Sequence, residues 1–565
     1  MAKYDGCMNT TICSHFARFL PVFALLASAS VSAADLPPAG YADDAAFAEQ
    51  VKELDKSELV ATKSLAKTLG GRELWLLTIG SGEVDKKPAI LIVGGVDASH
   101  LAGSELALRL ARQLAAGDDA AKKLLEQVTF YVVPRANPDG LEKCFKKPLT
   151  TPRGNARATD DDRDGKIGED PAEDLNGDGA IGEMRVADDT GPYIVHPDDP
   201  RVLIRIDPKK NERGKFRLLS EGRDNDNDEK WNEDGSGGVS FNRNWTFRYP
   251  AFSENAGANA VSEIETRAVA DFAFDHPNIA AVLTFSPDDN LFHPWKPKED
   301  AGRIKQTLLS ADSDYNEFVA ARYRKLHGGA DCPGPGDTDG SFASWAYFHF
   351  GRWSFSARAW WIPKMPEEPK DKKPSGESRG ADDLNALRWL ASEKLDGFLT
   401  LTAVEHPDFP GKQVEVGGFR PLVRLNPSID KLDPLAEVHR KFLVDLASLL
   451  PKIELRDAKI EPLGSGVYRV SVTALNGGYL PTMPEMGKVG ERQYPLQIAL
   501  ELPKETKFLQ GSSRSRMNVL AGNGGKAEKV WLVRVAGDAP VQGKIRLWAP
   551  AVGAAEMNVE LKSTK

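Results

Sequence analysis

Short, unbroken apolar runs separated by helical patterns constrain this fold more than any other feature. Ala89-Ile-Leu-Ile-Val93, Val128 to Val133 and Ile279 to Phe285 carry no charge and are rich in β-branched and aromatic residues. Such runs belong to strands buried on both faces, as in a parallel or mixed sheet. Between them, Leu106, Leu110 and Leu114 recur at helical spacing, as do Ile264, Val269 and Phe272. The alternation predicts the α/β class, a mixed sheet with helices on both faces. Further helices are expected over 383–399 and 433–450, and Pro451 stops the second.

From Ile453 onward the grammar changes. Val467-Tyr-Arg-Val-Ser-Val472 and Val530-Trp-Leu-Val-Arg-Val535 alternate apolar and polar residues between Gly and Pro turns, which predicts a separate β-sandwich over 453–565. The main domain then spans 34–452, with the Lys- and Pro-rich stretch 364–380 as a solvated loop. The aromatic cluster from Trp345 to Trp361 reads as core packing. At the other end, Lys3 and Arg18 precede an apolar run, Phe19 to Ala27, that finishes in Val31-Ser32-Ala33. That is the pattern of a secretory signal over 1–33, so a secreted or periplasmic protein is expected. No later stretch is long and apolar enough to span a bilayer. The formal charge is −9, from 73 Lys and Arg against 82 Asp and Glu, which disfavours a nucleic-acid partner. Cys144 and Cys332 remain after the signal, and sequence alone does not pair them.

Acidic residues cluster in an insertion at about 158–236. Asp160-x-Asp162-x-Asp164-Gly165 and Asp174-x-Asn176-x-Asp178-Gly179 place oxygens at alternate positions of a glycine turn, and Asp224-x-Asp226-x-Asp228 partly repeats them. Hard cations take such ligands, so structural calcium is expected at the first two.

Four ordered segments then carry a resemblance. Gly94-Gly-Val-Asp97-Ala-Ser-His100 follows one buried strand and Asn137-Pro-Asp-Gly140 the next; Gly238-Val-Ser-Phe-Asn242-Arg243-Asn244-Trp245 and Gly340-Ser-Phe-Ala-Ser-Trp-Ala-Tyr347 come later. Together they resemble the zinc carboxypeptidase family of the carboxypeptidase A/B type, over roughly residues 44–450. The resemblance implies a metallocarboxypeptidase fold, zinc, and a peptide or other carboxylate as ligand. It also implies that Asn242 and Arg243 hold the substrate's acid end and that Tyr347 closes over it, with Arg153 or Arg157 as a further arginine.

The family's zinc turn reads His-x-x-Glu, whereas Asp97 and His100 stand here. Ser286 occupies the place of the family's second histidine, and Arg358 the place of its water-activating glutamate. A catalytic zinc takes three protein ligands, so a third would have to come from Asp288, Asp289 or His293. Arg358 is always protonated and cannot accept a proton from water, which leaves the pocket with no catalytic base and with a cation suited to carboxylates. Two functions remain open: an exported family member that binds carboxylates after losing hydrolysis, or a metallohydrolase with a rearranged metal site on Asp97 and His100.

Overall fold

The structure, a computed structural model, describes residues 36–160, 165–227, 229, 231–232, 237–298, 302, 304–366, 376–537 and 539–562. The expected signal segment lies outside them. Six strands build the central sheet: β1 (Val60–Lys67), β2 (Glu73–Ile79), β3 (Ala89–Val93), β4 (Thr129–Val133), β5 (Ile279–Phe285) and β6 (Trp353–Ala357). Their order is β1-β2-β4-β3-β5-β6. The β1–β2 and β2–β4 pairs are antiparallel, and β4, β3, β5 and β6 run parallel. Every residue of β3, β4, β5 and β6 is buried, which is why β3, β4 and β5 lack polar alternation; β6 keeps two buried serines, Ser354 and Ser356. Parallel pairing brings the ends of β3, β5 and β6 to one edge, the place where open α/β sheets hold ligands.

Helices cover both faces, as the alternation predicts. On one side lie α1 (Asp44–Leu54), α2 (Leu101–Ala115), α4 (Ser310–His327) and α6 (Leu432–Leu449); on the other lie α3 (Ile264–Asp275) and α5 (Phe342–Phe348). Leu106, Leu110 and Leu114 of α2 share a core with Ile90, Ile92 and Phe442. Val269 and Phe272 of α3 join Leu91, Val93, Phe342 and Trp345. Each such fully buried side chain contributes about 1.5–3 kcal/mol relative to exposure, so two complete layers hold the sheet edge rigid beneath the site.

The insertion contributes more than acidic turns. Its strands Glu183–Ala187, Tyr193–Val195, Leu203–Arg205 and Phe216–Ser220 join Phe398–Val404 and Val414–Phe419 in a second, antiparallel six-stranded sheet. The helix expected over 383–399 runs Ala381–Glu393 instead. Lys394 adopts a left-handed φ of 56° and closes it, which frees Phe398 to begin a strand.

Beyond residue 452, two four-stranded antiparallel sheets share one core that includes Val470, Val472, Trp531, Ile498, Ile545 and Leu547. This is the expected sandwich. Its Glu485–Val489 helix docks on the main domain, where the Glu485 and Met486 amides donate to the buried Asp312 at 2.8 and 3.2 Å. Arg352 reaches back to the Arg492 carbonyl at 3.0 Å.

Candidate functional site

The site grows from the turn after β3. A Cβ on Gly94 would lie 2.4 Å from the Gly103 carbonyl oxygen and 2.8 Å from that of Pro134, and Gly95 has φ +61°. Only a turn without side chains lets the chain pass between α2 and the strand ends. Asp97 and His100 leave this turn, Ser286 and Asp288 follow β5, and Arg358 follows β6. The short Phe241–Arg243 turn supplies Asn242 and Arg243.

Four of these side chains form one network. The Ser286 hydroxyl donates to Asp97 Oδ2 at 2.6 Å. Asn242 Nδ2 lies 3.2 and 3.3 Å from the two Asp97 oxygens, 3.2 Å from Ser286 Oγ and 2.9 Å from Asp288 Oδ2. The Phe342 amide, at the start of α5, donates to Asn242 Oδ1 at 3.0 Å and sets which end of the carboxamide faces the acids. One NH₂ group therefore bridges two carboxylates that would otherwise repel one another.

Burial raises the Asp97 pKa, opposed by the hydrogen bonds from Ser286 and Asn242 and by the charges of Arg153 and Arg358. Burial, then repulsion from Asp97, pushes Asp288 up to about 7. His100 is 1% exposed, and burial, followed by the positive charge of Arg358, pushes it down to about 4. Its imidazole is thus neutral at pH 7. Neither ring nitrogen has a partner in hydrogen-bond geometry among the described residues, although the Arg358 backbone lies close by.

The surrounding residues sort into pocket and scaffold. Arg358 Nη2 donates to the Pro287 and Gly334 carbonyls at 3.0 and 3.2 Å, and its charge reaches both acids. Asp289 accepts the amides of Leu291, Phe292 and Arg358, so it holds a turn. His293 Nε2 meets the Cys332 carbonyl. Of the three residues considered as a third ligand, only Asp288 joins Asp97. Arg157 pairs with Glu263 at 2.8 Å, whereas Arg153 is exposed and acts on Asp97 by charge. The half-buried Arg243 makes one long contact, 3.3 Å to Asp337.

Comparison with known proteins decides the family. Residues 46–181 and 204–364 match the family model described as zinc carboxypeptidase, more than half of the chain. The chain belongs to the zinc carboxypeptidase family. Residues 452–560 match a second model, described as a domain of unknown function. Carboxypeptidase SOL1 of Arabidopsis thaliana is 30% identical over 132 residues, 22% of this chain and 26% of that protein. A zinc carboxypeptidase of Saccharothrix mutabilis subsp. capreolus is 30% identical over 115 residues, 19% of this chain and 26% of that protein. The matched segments thus span about a quarter of each relative. The structure of bovine thrombin-activatable fibrinolysis inhibitor in complex with tick carboxypeptidase inhibitor aligns at 13% identity over 72% of this chain and 96% of that one, with a TM-score of 0.39.

Membership of a zinc carboxypeptidase family implies zinc, and the residues at the site can be tested against it. A zinc site of this kind needs three convergent protein ligands. Among the described residues, no three His, Cys, Asp or Glu side chains converge closely enough to hold a metal ion. Asp97 is committed to Ser286 and Asn242, and the cation acting on it is a guanidinium. The donor set does not fit the family's zinc.

Two substrate-binding expectations change. Tyr347, 1% exposed, does not close over the pocket: its hydroxyl donates to Asp312 at 2.7 Å and its ring packs near Trp295 and Phe348. Asn242, 5% exposed, directs its carboxamide to Asp288 and to the Phe342 amide rather than outward. The calcium expectation finds no support either. Asp174 turns its oxygens to the amides of Gly177, Asp178 and Gly179, and Asn176 and Asp178 bond to each other and to the same turn. Asp160 accepts the Gly165 amide, while Asp162 and Asp164 lie outside the described residues. Cys144 and Cys332 are both free thiols.

Sequence reasoning passed over Asp337, the partner of Arg243. One of three acids in a Gly- and Pro-rich loop, beside Asp331 and Asp339, gives no sequence signal of its own.

Proposed function

We propose that this family member has lost zinc-dependent peptide hydrolysis and binds the acid end of a peptide or another carboxylate. Arg358 carries the reading. A guanidinium, a group with donors and no acceptor, stands where the family keeps a proton acceptor, and its Nη2 is held by two carbonyls. It cannot take a proton from an attacking water. Arg153 acts by charge on the same Asp97 as Arg358, and Arg243 adjoins Asn242 of the same network; guanidinium groups suit bidentate carboxylate binding. Export follows in the same reading, on the apolar segment at 19–27 and the small residues after it.

Equilibrium binding of a short peptide with a free C-terminal carboxylate, compared with its C-terminal amide, tests this. The free acid should bind about tenfold tighter or better, as charge-assisted hydrogen bonds imply, and Arg243→Gln should erase the difference. Equal affinity for the two forms would refute it. A second reading, hydrolysis on a rearranged site, draws on the buried, neutral imidazole of His100 beside Asp97 in the same turn. It predicts release of C-terminal residues that a chelator stops.

A further inference from the structure

A cleft of about 500 Å³ lies where the main domain meets the sandwich. Its walls are the segment before β3, the ends of the Asp119–Gln127 helix and of α6, and the first and last sandwich strands, Ile453–Gly464 and Gly553–Leu561. Apolar side chains form the floor: Pro88, Leu124, Val128, Val444, Leu450 and Val552. Val444 is 37% exposed, so part of this floor is covered by neither domain.

The rim carries one sign of charge. Lys86, Lys87, Lys123 and Lys452 line the cleft, and among the described residues no Asp or Glu does, although the chain as a whole has a formal charge of −9. Three other clefts mix the signs, with Glu505 among the cations of one and Asp271 among those of the other two. Two of the four lysines are already engaged: Lys86 pairs with Glu83, and Lys87 Nζ donates to the Ser81 and Leu125 carbonyls and feels the charge of Glu126. Lys123 and Lys452, both exposed, enter no ion pair among the described residues. The helix ends beside them have other caps. The Leu124 carbonyl accepts the Val128 amide at 2.9 Å, and the Ala447 and Leu449 carbonyls of α6 accept the Leu450 and Leu480 amides at 3.4 and 2.9 Å. Two uncommitted ammonium groups over an apolar floor, with their own aliphatic stems extending its wall, match a ligand with an acid head and a hydrocarbon body.

We propose that this cleft between the domains binds a free fatty acid, its carboxylate on Lys123 and Lys452 and its chain along Leu124, Val444 and Val552. The volume falls within the range of small-ligand sites, about 300–1,000 Å³, and such sites favour domain junctions. A recess of this kind takes a single chain, whereas docking on a bilayer uses an apolar face that enters the lipid. The apolar floor supplies the affinity, and the lysines decide which end of the chain faces outward. Nothing in this inference depends on the function proposed for the strand-end pocket.

Titration calorimetry on the full chain with octanoate, decanoate and 1-octanol, each kept dilute enough to stay monomeric, tests it. Decanoate should bind about tenfold tighter than octanoate, since each buried methylene is worth roughly fourfold. Octanoate should bind about tenfold tighter than octanol, the scale of a charged hydrogen bond against a neutral one. Lys123→Glu with Lys452→Glu should erase that second preference while leaving octanol binding as it was, which also shows that the doubly changed chain keeps its fold. Val444→Asp should weaken all three ligands. Equal affinity for octanoate and octanol overturns the proposal, as does decanoate binding that survives the lysine changes. Absence of decanoate binding at millimolar concentration overturns it too, whether the floor then proves to hold a phosphatidylglycerol vesicle or a second copy of this chain.

Discussion

At the residue scale, Asn242 is the side chain on which the site turns. It faces two acids with one NH₂ group and is fixed by a backbone amide at its other end. Asn242→Ala should cost about 2 kcal/mol of stability, the price of leaving buried partners unsatisfied, measured as a shift in the urea midpoint. The loss should be larger at pH 8 than at pH 5, because Asp288 is more ionised there. Asp288 itself gives a signed prediction. Its pKa rises from 3.8 to about 7 on folding, so its contribution is fully present below about pH 4 and is lost as pH rises through about 7. His100 works in the opposite sense: held near 4, it contributes stability above pH 6.5 that is lost as pH falls through about 4. The two slopes oppose one another in the wild type. Asp288→Asn should uncover the His100 slope, so its stability relative to wild type should rise between pH 5 and pH 8; an unchanged difference would contradict the assignment. The residues of this network were legible because motifs next to buried strands place them at one sheet edge. Their partnerships were not. Nothing in the string reveals that Tyr347 turns away to Asp312, because Asp312 reads as an ordinary acid on a polar helix.

At the scale of elements, the inner strands could be read because burial on both faces removes polar residues from their sequence. The second sheet escaped notice for the complementary reason: Tyr193–Val195 and Leu203–Arg205 are three residues long and largely half-exposed, too short to establish a period. The β3–α2 turn is the element most exposed to damage. Gly94→Ala would drive a methyl against two backbone oxygens, and such overpacking costs about 1–3 kcal/mol or more. The variant should melt well below the wild type and lose carboxylate binding, since Asp97 and His100 move with the turn. Wild-type melting would show that the turn is looser than described. Asp312 joins three elements by accepting from Tyr347 of α5 and from two amides of the Glu485–Val489 helix. Asp312→Ala should destabilise by about 3 kcal/mol, since it strands several buried donors at once. Asp312→Asn, which keeps an acceptor oxygen, should lose less.

For the whole molecule, the sandwich belongs to the same packing unit as the main domain. Leu480 and Ala551 enter the main core, and Tyr479 stacks on Phe318 with ring centroids 3.9 Å apart. A chain cut after Leu450 should therefore melt about 1–2 °C lower for a loss of about 1–2 kcal/mol in so large a domain; an unchanged melting temperature would make the sandwich a mere appendage. The two-part architecture was visible in the sequence as a change from mixed to alternating patterns. The docking was not, because side chains such as Leu480 have no local sign of a distant partner. The central claim we propose is chemical: on this zinc carboxypeptidase scaffold, no three metal-ligating side chains converge among the described residues, and the chain does not hold a catalytic zinc. Metal analysis of the purified full chain, after incubation with equimolar zinc and buffer exchange, tests it most directly. The account predicts far less than one zinc per chain, whereas one retained zinc per chain, lost on Asp97→Asn, would contradict it.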